Sequence, residues 1–304
     1  MTDQPKSKLL GLACGAPDGS AEILLKCALQ AAENDGVEVE LVRLHDLNLS
    51  LKAEPDDGEW LWERLVGCDA LIVSTPIISR TVSAVLKMAI DRLLGPKADA
   101  AFVERMVELR SAGAELKLPF KLDERVLKPR IAGFIAVGGS LTSQWKSLAL
   151  PILHTAAFSM HMAVADQVVF GGAGTPRSIV LAPEALARAA QLGRNVAGQI
   201  GRPHEEVEYR GDPGLCPLCH LDVIILRGRE VECATCGALG RLVDDNVEWT
   251  DLSKSVIRMD EKRAHVSEVE QTAAAHASRR EEIEASAAHY TAYDRRVAPD
   301  RVMA

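Results

Sequence analysis

Aromatic side chains are few: five Phe, three Tyr and four Trp make up 4% of 304 residues. The core must therefore be assembled from Leu, Val, Ile and Ala, and there is little material for the aromatic platforms on which unpaired bases stack. Positive charge is in deficit too. The 35 Lys and Arg face 43 Asp and Glu, a formal net charge of −8, which removes the global basic field that holds nucleic acid or an anionic membrane. Long apolar runs are missing as well. The longest, at 68–78 and 131–137, fall well short of the roughly 20 residues of a spanning helix, and the polar start, 1–8, carries no secretory apolar segment. These shortages point to a cytoplasmic protein whose partners are neither nucleic acid nor membrane.

What the chain does have is 47% hydrophobic residues and enough length for one large core with appendages. Over the first 200 residues, short apolar runs alternate with segments of helical period. Strands are expected at 8–15, 37–46, 69–76, 130–139 and 162–170, and helices at 20–34, 57–68, 83–95, 143–160 and 183–200, with a long insertion before the fourth strand. Five such β/α units predict an α/β fold, a doubly wound five-stranded parallel sheet of the flavodoxin type. Polar residues with Gly and Pro at 201–215 read as a linker, followed by a cysteine-rich module. Residues 254–293 contain no Gly or Pro and read as one long C-terminal helix. Its 3-4 seam, Val266 to Tyr290, is mostly small or polar, too weak for an independent coiled coil, so the helix is expected to lie on another surface such as a partner subunit. The division expected is 1–205, 210–248 and 253–304.

In an open parallel sheet, ligands bind beyond the carboxyl ends of the strands, where strand order reverses. After the first strand, CGAPDGSAEIL (14–24) passes Gly15 and Gly19 into a helix at Ser20. Unpaired amides and the positive end of a helix dipole suit a phosphate there; the stretch is neither GxGxxG nor a P-loop, and also reads as a plain tight turn with Ser20 as cap. After the third strand, Pro76 stops pairing and 77–81 form a neutral, partly apolar loop that can lie against a flat heterocycle. After the fourth, Gly138 and Gly139 in VGGSLTSQW let backbone approach a ligand closely.

The three loops resemble those of NADPH-dependent FMN reductases and multimeric flavodoxins, over roughly residues 7–200. The family's G-S-P-R-x-x-G-N-T before E-I-L is met by Gly15-Ala16-Pro17-Asp18-Gly19-Ser20-Ala21-Glu22-Ile23-Leu24. Its S-P-V-Y-x-x-x-V-S-A-x-L-K-x-x-I-D-R is met by Thr75-Pro76-Ile77-Ile78, Val82-Ser83-Ala84, Leu86-Lys87 and Ile90-Asp91-Arg92, and its Gly-Gly with a downstream Gln by Gly138-Gly139 and Gln144. The resemblance implies an FMN site of Gly15, Ala16, Asp18, Gly19, Ser20, Ala21 and Glu22 near the phosphate, with Pro76, Ile77, Ile78, Ser79, Arg80 and Thr81, then Gly138, Gly139 and Ser140, near the ring. NAD(P)H is the implied electron donor, and the hydride chemistry belongs to the flavin. The departures are a shortened phosphate loop without the family's Arg, Ala21 in place of Thr or Ser, Ile78 in place of Tyr, and Arg80 in place of a small residue. They imply a looser hold on FMN. Iron–sulfur relatives carry a cysteine cluster after the second strand; 47–57 has no cysteine. Arg80 is the candidate catalytic residue, set to meet negative charge on the reduced ring or a cofactor phosphate, and it also reads as a solvated helix-start residue. His154, His161 and Cys14 read as structural.

Cys216-x2-Cys219, thirteen residues, then Cys233-x2-Cys236 has the spacing of a four-thiolate zinc site. Each Cys-x-x-Cys turn aims two sulfurs at one ion, and a hairpin turning at Gly228 brings the two turns together. Four thiolates leave no position open for water, so Zn2+ is expected to be structural and to supply the folding energy of this small β-hairpin ribbon. Arg227, Arg229 and Arg241 are outnumbered by Asp222, Glu230, Glu232, Asp244, Asp245 and Glu248, which favours a protein-binding or oligomer-clasping role. The function expected is an FMN-dependent NAD(P)H oxidoreductase passing hydride to a quinone, a flavin or another small conjugated acceptor, in a homo-oligomer, dimer or tetramer. Two alternatives are a flavin-dependent dehydrogenase or reductase dedicated to one metabolic intermediate, and a non-catalytic flavin-binding sensor or electron-transfer partner that docks through the ribbon.

Overall fold

The computed structural model describes residues 6–51, 55–293, 295 and 297. Strands β1 (Lys8–Ala13), β2 (Glu38–Arg43), β3 (Ala70–Pro76), β4 (Ile131–Val137) and β5 (Ala163–Phe170) form one parallel sheet in the order β2-β1-β3-β4-β5. This is the flavodoxin order. Inner strands β3 and β4 are buried at nearly every position, which is why they read as unbroken apolar runs instead of alternating ones. Helices α1 (Ser20–Asn34) and α7 (Pro183–Ala197) cover one face, and α2 (Gly58–Gly67), α3 (Ala84–Leu93) and α4 (Ala100–Ser111) belong to the core on the other. The crossing of α1 and α7 is tight: a Cβ on Gly193 would stand 2.0 Å from the Ala28 carbonyl oxygen, so that position of α7 has room for glycine alone.

Three expectations for the large domain and its linker change. The long insertion holds α4, started by Asp99, whose carboxylate accepts from the Phe102 N–H at 2.9 Å. The helix expected over 143–160 is broken into a 3-10 turn at Ser143–Trp145, α5 (Ala149–Leu153) and α6 (Thr155–Phe158). Pro151 explains the break, because a ring without an N–H is tolerated in a helix's first turn and not in its interior. The linker at 201–215 is not a free tether. The Arg210 N–H donates to Ala165 of β5 at 2.7 Å, Asn195 donates to the Arg210 carbonyl at 3.2 Å, and the Tyr209 and His220 rings stack 3.8 Å apart.

The hairpin expected at 224–233 is present as β6 (Ile224–Arg227) and β7 (Glu230–Cys233), with Gly228 at φ +65° in its turn. Two further antiparallel strands, β8 (Leu239–Val243) and β9 (Asn246–Asp251), extend it to a four-stranded sheet. The C-terminal helix is two helices, α8 (Met259–Ala277) and α9 (Arg280–Thr291), interrupted at Ser278 and Arg279. Residues from Arg263 onward form a compact unit of their own. No helix among the described residues is long and apolar enough to cross a membrane.

The ribbon is joined to the large sheet through buried polar groups. The Gln167 amide, on β5, donates to the Cys219 carbonyl at 2.8 Å, and its oxygen lies 2.8 Å from His154 Nε2. Burial drives the His154 pKa down to about 4 against the partial support of Gln167. The folded value lies below the unfolded one, so this group contributes stability above pH 6.5 that is lost as pH falls toward 4. Histidine NMR is expected to show the His154 ring neutral and untitrated from pH 8 down to about 5, where exposed histidines titrate near their ordinary value; a His154 midpoint near pH 6.5 would contradict this environment.

Candidate functional site

Because the strands are parallel, the loops after β1, β3, β4 and β5 all emerge at one edge of the sheet. Direct contacts draw them together. A Cβ on Gly15 would meet the Pro76 ring at 3.1 Å, one on Gly138 would meet Ile77 at 3.2 Å, and one on Gly139 would meet the Gly174 Cα at 3.1 Å. The Arg80 guanidinium donates through Nε to the Gln144 carbonyl at 2.8 Å. The three loops singled out in the sequence therefore do form one locus, closed by a fourth, 171–181.

At the first loop, Gly19 is the cap and Ser20 the first residue of α1, with no side chain satisfying the helix start. Gly19 donates to the Ala16 carbonyl at 3.0 Å, and Asp18 sits at φ +54°. Ser20 Oγ is buried and has no hydrogen-bond partner. An orphaned hydroxyl beside the free amides of a helix's first turn is the donor set a phosphate requires. Two carboxylates lie close by, and both are neutralised. Glu22, fully buried, takes Arg43 at 2.7 and 3.0 Å and Lys26 at 2.6 Å; Asp18 takes Lys26 at 2.7 Å. Burial works to raise the Glu22 pKa, but the bonds to Arg43 and Lys26 outweigh it and hold the carboxyl below its ordinary range. The Lys26 bond and charge likewise hold Asp18 low. The Glu22 side chain is thus turned to Arg43 and Lys26, and it fixes the loop, since its carboxylate also accepts from the Asp18 N–H at 3.2 Å.

At the second loop, Ile78 and Thr81 pair through backbone bonds of 2.8 and 3.0 Å around Ser79 (φ +48°) and Arg80 (φ +74°). Two consecutive left-handed residues without a glycine cost about 1–2 kcal/mol each, and strain of this kind is a mark of functional loops. Thr81 Oγ1 and Ser83 Oγ are buried there without a partner. At the third, Gly138 donates to the Phe170 carbonyl at 2.9 Å, and Ser140 Oγ accepts from the Thr142 N–H at 3.2 Å.

Large apolar side chains stand uncovered on these same loops: Ile78 is 54% exposed, Trp145 55%, Leu141 80% and Leu181 83%. Leu141 leans on the fourth loop at Gly172. Sequence reasoning passed over Leu141, Trp145 and that fourth loop, although GGAGTPR (171–177) has the glycine-rich character of a ligand loop. His161 is not at this edge. It precedes β5 at the opposite end of the strand, stacked on His204 at 3.9 Å. Cys14 is fully buried, and desolvation raises its thiol pKa far above the ordinary value, which removes it as a nucleophile.

In the ribbon, Cys216, Cys219, Cys233 and Cys236 are all buried, with their sulfurs within 4.8 Å of one another. The Cys216–Cys236 and Cys219–Cys233 pairs are 3.6 and 3.4 Å apart, near the ~3.8 Å separation of thiolates held 2.3 Å from one zinc in a tetrahedron. Each knuckle ends on a left-handed residue, His220 (φ +55°) and Gly237 (φ +81°). Arg227 and Arg241 are paired with Glu232 and Glu230 at 2.6 and 3.2 Å, which leaves those two cations engaged within the sheet.

Residues 7–175 match the sequence model of the NADPH-dependent FMN reductase family. Flavone synthase cfoJ of Aspergillus candidus is 32% identical over 294 residues, covering 87% of this chain and 89% of that protein. A solved flavone reductase superposes with a TM-score of 0.81 at 27% identity, over 96% of this chain and all of that one. The second match reaches well past the parallel-sheet domain into the ribbon and beyond. The loops at the carboxyl edge, the strand order and the family match over more than half the length agree: this chain belongs to the NADPH-dependent FMN reductase family and is a flavin oxidoreductase.

Proposed function

We propose that the chain is an FMN-dependent NAD(P)H oxidoreductase whose acceptor is a planar, conjugated ketone of the flavone type. The supporting observation is the set of exposed apolar residues Ile78, Leu141 and Trp145, on two loops joined by the Arg80–Gln144 bond, together with buried hydroxyls that have no partner in the protein. An aromatic acceptor loses little by leaving water for such residues. The two long matches, a flavone synthase and a flavone reductase, support the same acceptor class.

The residues present fit FMN. Ser20 Oγ and the first-turn amides of α1 would hold the phosphate, Gly15, Ala16, Asp18, Gly19, Ala21 and Glu22 shape that loop, and Pro76, Ile77, Ile78, Ser79, Arg80, Thr81, Gly138, Gly139 and Ser140 would border the ring. When bound, FMN supplies reversible hydride transfer between nicotinamide and acceptor. The protein binds and orients. Arg43 and Lys26 cancel the Asp18 and Glu22 charges, so that the phosphate meets a field set by the amides. Arg80, fixed to Gln144, places a permanent positive charge at the rim, where negative charge on the ring or on the acceptor carbonyl is stabilised. The net reaction adds hydride from NAD(P)H and a proton from solvent across the acceptor's carbon–carbon double bond, giving NAD(P)+ and the saturated ketone. Run the other way, it makes the conjugated product.

The division of labour proposed is an FMN domain at 1–205, a structural Zn2+ held by the four cysteines within 210–248, and a helical tail at 253–304. Val180 and Leu181, exposed on the fourth loop, suit a subunit contact in a homo-oligomer.

Incubated with FMN and NAD(P)H under argon, the protein is expected to convert a simple flavone to its flavanone with equimolar nicotinamide oxidation. Flavin bound but inert to NAD(P)H would favour the electron-transfer reading, and quinone reduction without flavone turnover would favour a general reductase. Ser20→Ala is expected to weaken FMN about tenfold, the worth of a hydrogen bond to a charged group, and to leave riboflavin, which lacks the phosphate, within about twofold. An equal loss for both, read by flavin fluorescence, would place Ser20 away from the phosphate.

A further inference from the structure

We propose that Gln167 and His154 are positioning residues through which the cysteine ribbon sets the acceptor-facing loop, so that the ribbon is part of the specificity machinery although it contributes no group to the flavin site. The inference rests on the planar-acceptor reading above. Its basis is a short chain of buried contacts. The Cys219 carbonyl can only accept, so it takes the amide nitrogen of Gln167 at 2.8 Å and leaves the amide oxygen facing His154. His154 Nε2, 2.8 Å away, must then carry the ring proton, which fixes the tautomer. The other ring nitrogen, Nδ1, is buried without a hydrogen-bond partner, so Gln167 supplies the one hydrogen bond that orients this ring. His154 is the residue that ends α5, and its ring packs edge-on against Phe134 of β4 at 5.4 Å.

A second contact acts on the same element. Leu150 of α5 packs against both the sheet core and the cysteine cluster. The segment leading into α5 is the loop that carries Leu141 and Trp145 and whose Gln144 carbonyl holds Arg80. A ribbon shifted from its seat would release the Gln167 amide, then the His154 ring, then the C-terminal end of α5. The phosphate loop lies on α1, across the sheet, and shares none of these contacts. The ribbon therefore bears on 141–153, the part of the loop that faces the acceptor, and not on the phosphate loop that anchors FMN.

The test uses the full-length protein with Gln167→Leu, which keeps the side chain's bulk and removes both hydrogen bonds, and with Leu150→Ala, which loosens the same element without touching them. For either variant, the KM for flavone is expected to rise about tenfold while FMN affinity and NAD(P)H:ferricyanide turnover stay within about twofold. Amide hydrogen exchange is expected to quicken in 141–153 and to stay unchanged in 14–24. Equal losses in FMN affinity and flavone KM, or exchange that quickens in both loops or in neither, would overturn the proposal. Gln167→Leu failing to fold leaves Leu150→Ala to decide it. Absence of flavone turnover in the unaltered protein would instead sink the acceptor reading, and the exchange pattern would still judge the coupling.

Discussion

A parallel sheet sends every strand-to-helix loop to the same edge, and what this chain can do with a cofactor follows from that constraint. β1 and β3 are neighbours whose helices leave to opposite faces, so their loops part and open a crevice. Glycines narrow it: Gly15 under Pro76, Gly138 against Ile77 and Gly139 against Gly174 leave little room for larger side chains. The electrostatics serve the same end. Left alone, the buried Glu22 carboxylate beside the start of α1 would repel an anion, but Arg43 at the end of β2 reaches over and cancels it. The first-turn amides and the Ser20 hydroxyl are then left as the unpaired donors of this loop.

The second sheet has a different logic. It is too small to hold itself together by apolar burial, and its core cluster is mainly the four cysteines with Leu221 and Ala238. A closed four-thiolate set offers no open coordination position for catalysis. Arg227 and Arg241 are paired within the sheet, and the ribbon connects inward to Gln167, Leu150 and the linker strapped along β5. Asp166 anchors that strap, since it is buried and takes two bonds from Arg188 and one from Asn195 at 2.6–2.9 Å. This arrangement suits a ribbon that braces the large domain more than one that reaches for nucleic acid.

Much of this was legible in the residues. Five apolar runs at helix-length spacing announce the parallel sheet, because inner strands buried on both faces are continuous in hydrophobicity. Cys-x-x-Cys spacing announces the cluster, because its geometry is local to each knuckle. Long-range facts were harder to read. The pairing of Glu22 with Arg43 joins residues far apart in sequence, and nothing in GSAEIL tells a loop-fixing carboxylate from a ligand-facing one. Pro151 was a visible signal for the broken helix before β5, overridden by apolar periodicity. The strands after Cys236 carry a signal of their own, an Asp-Asp turn between alternating residues in LGRLVDDNVEWTD, weaker than the cysteine spacing beside it. The exposed apolar residues have no local signature, since Leu141 and Trp145 look like any loop residues until the fold ties their loop to the one that carries Ile78.

The central claim is that the carboxyl-edge crevice passes electrons from a nicotinamide to a planar conjugated ketone by way of FMN. An anaerobic titration tests it most directly. Protein saturated with FMN is given one equivalent of NAD(P)H, then flavone, while the flavin spectrum is recorded. Bleaching of the flavin is expected in the first step, recovery of its colour in the second, and flavanone in the same amount. Flavin that NAD(P)H bleaches and flavone leaves bleached would contradict it.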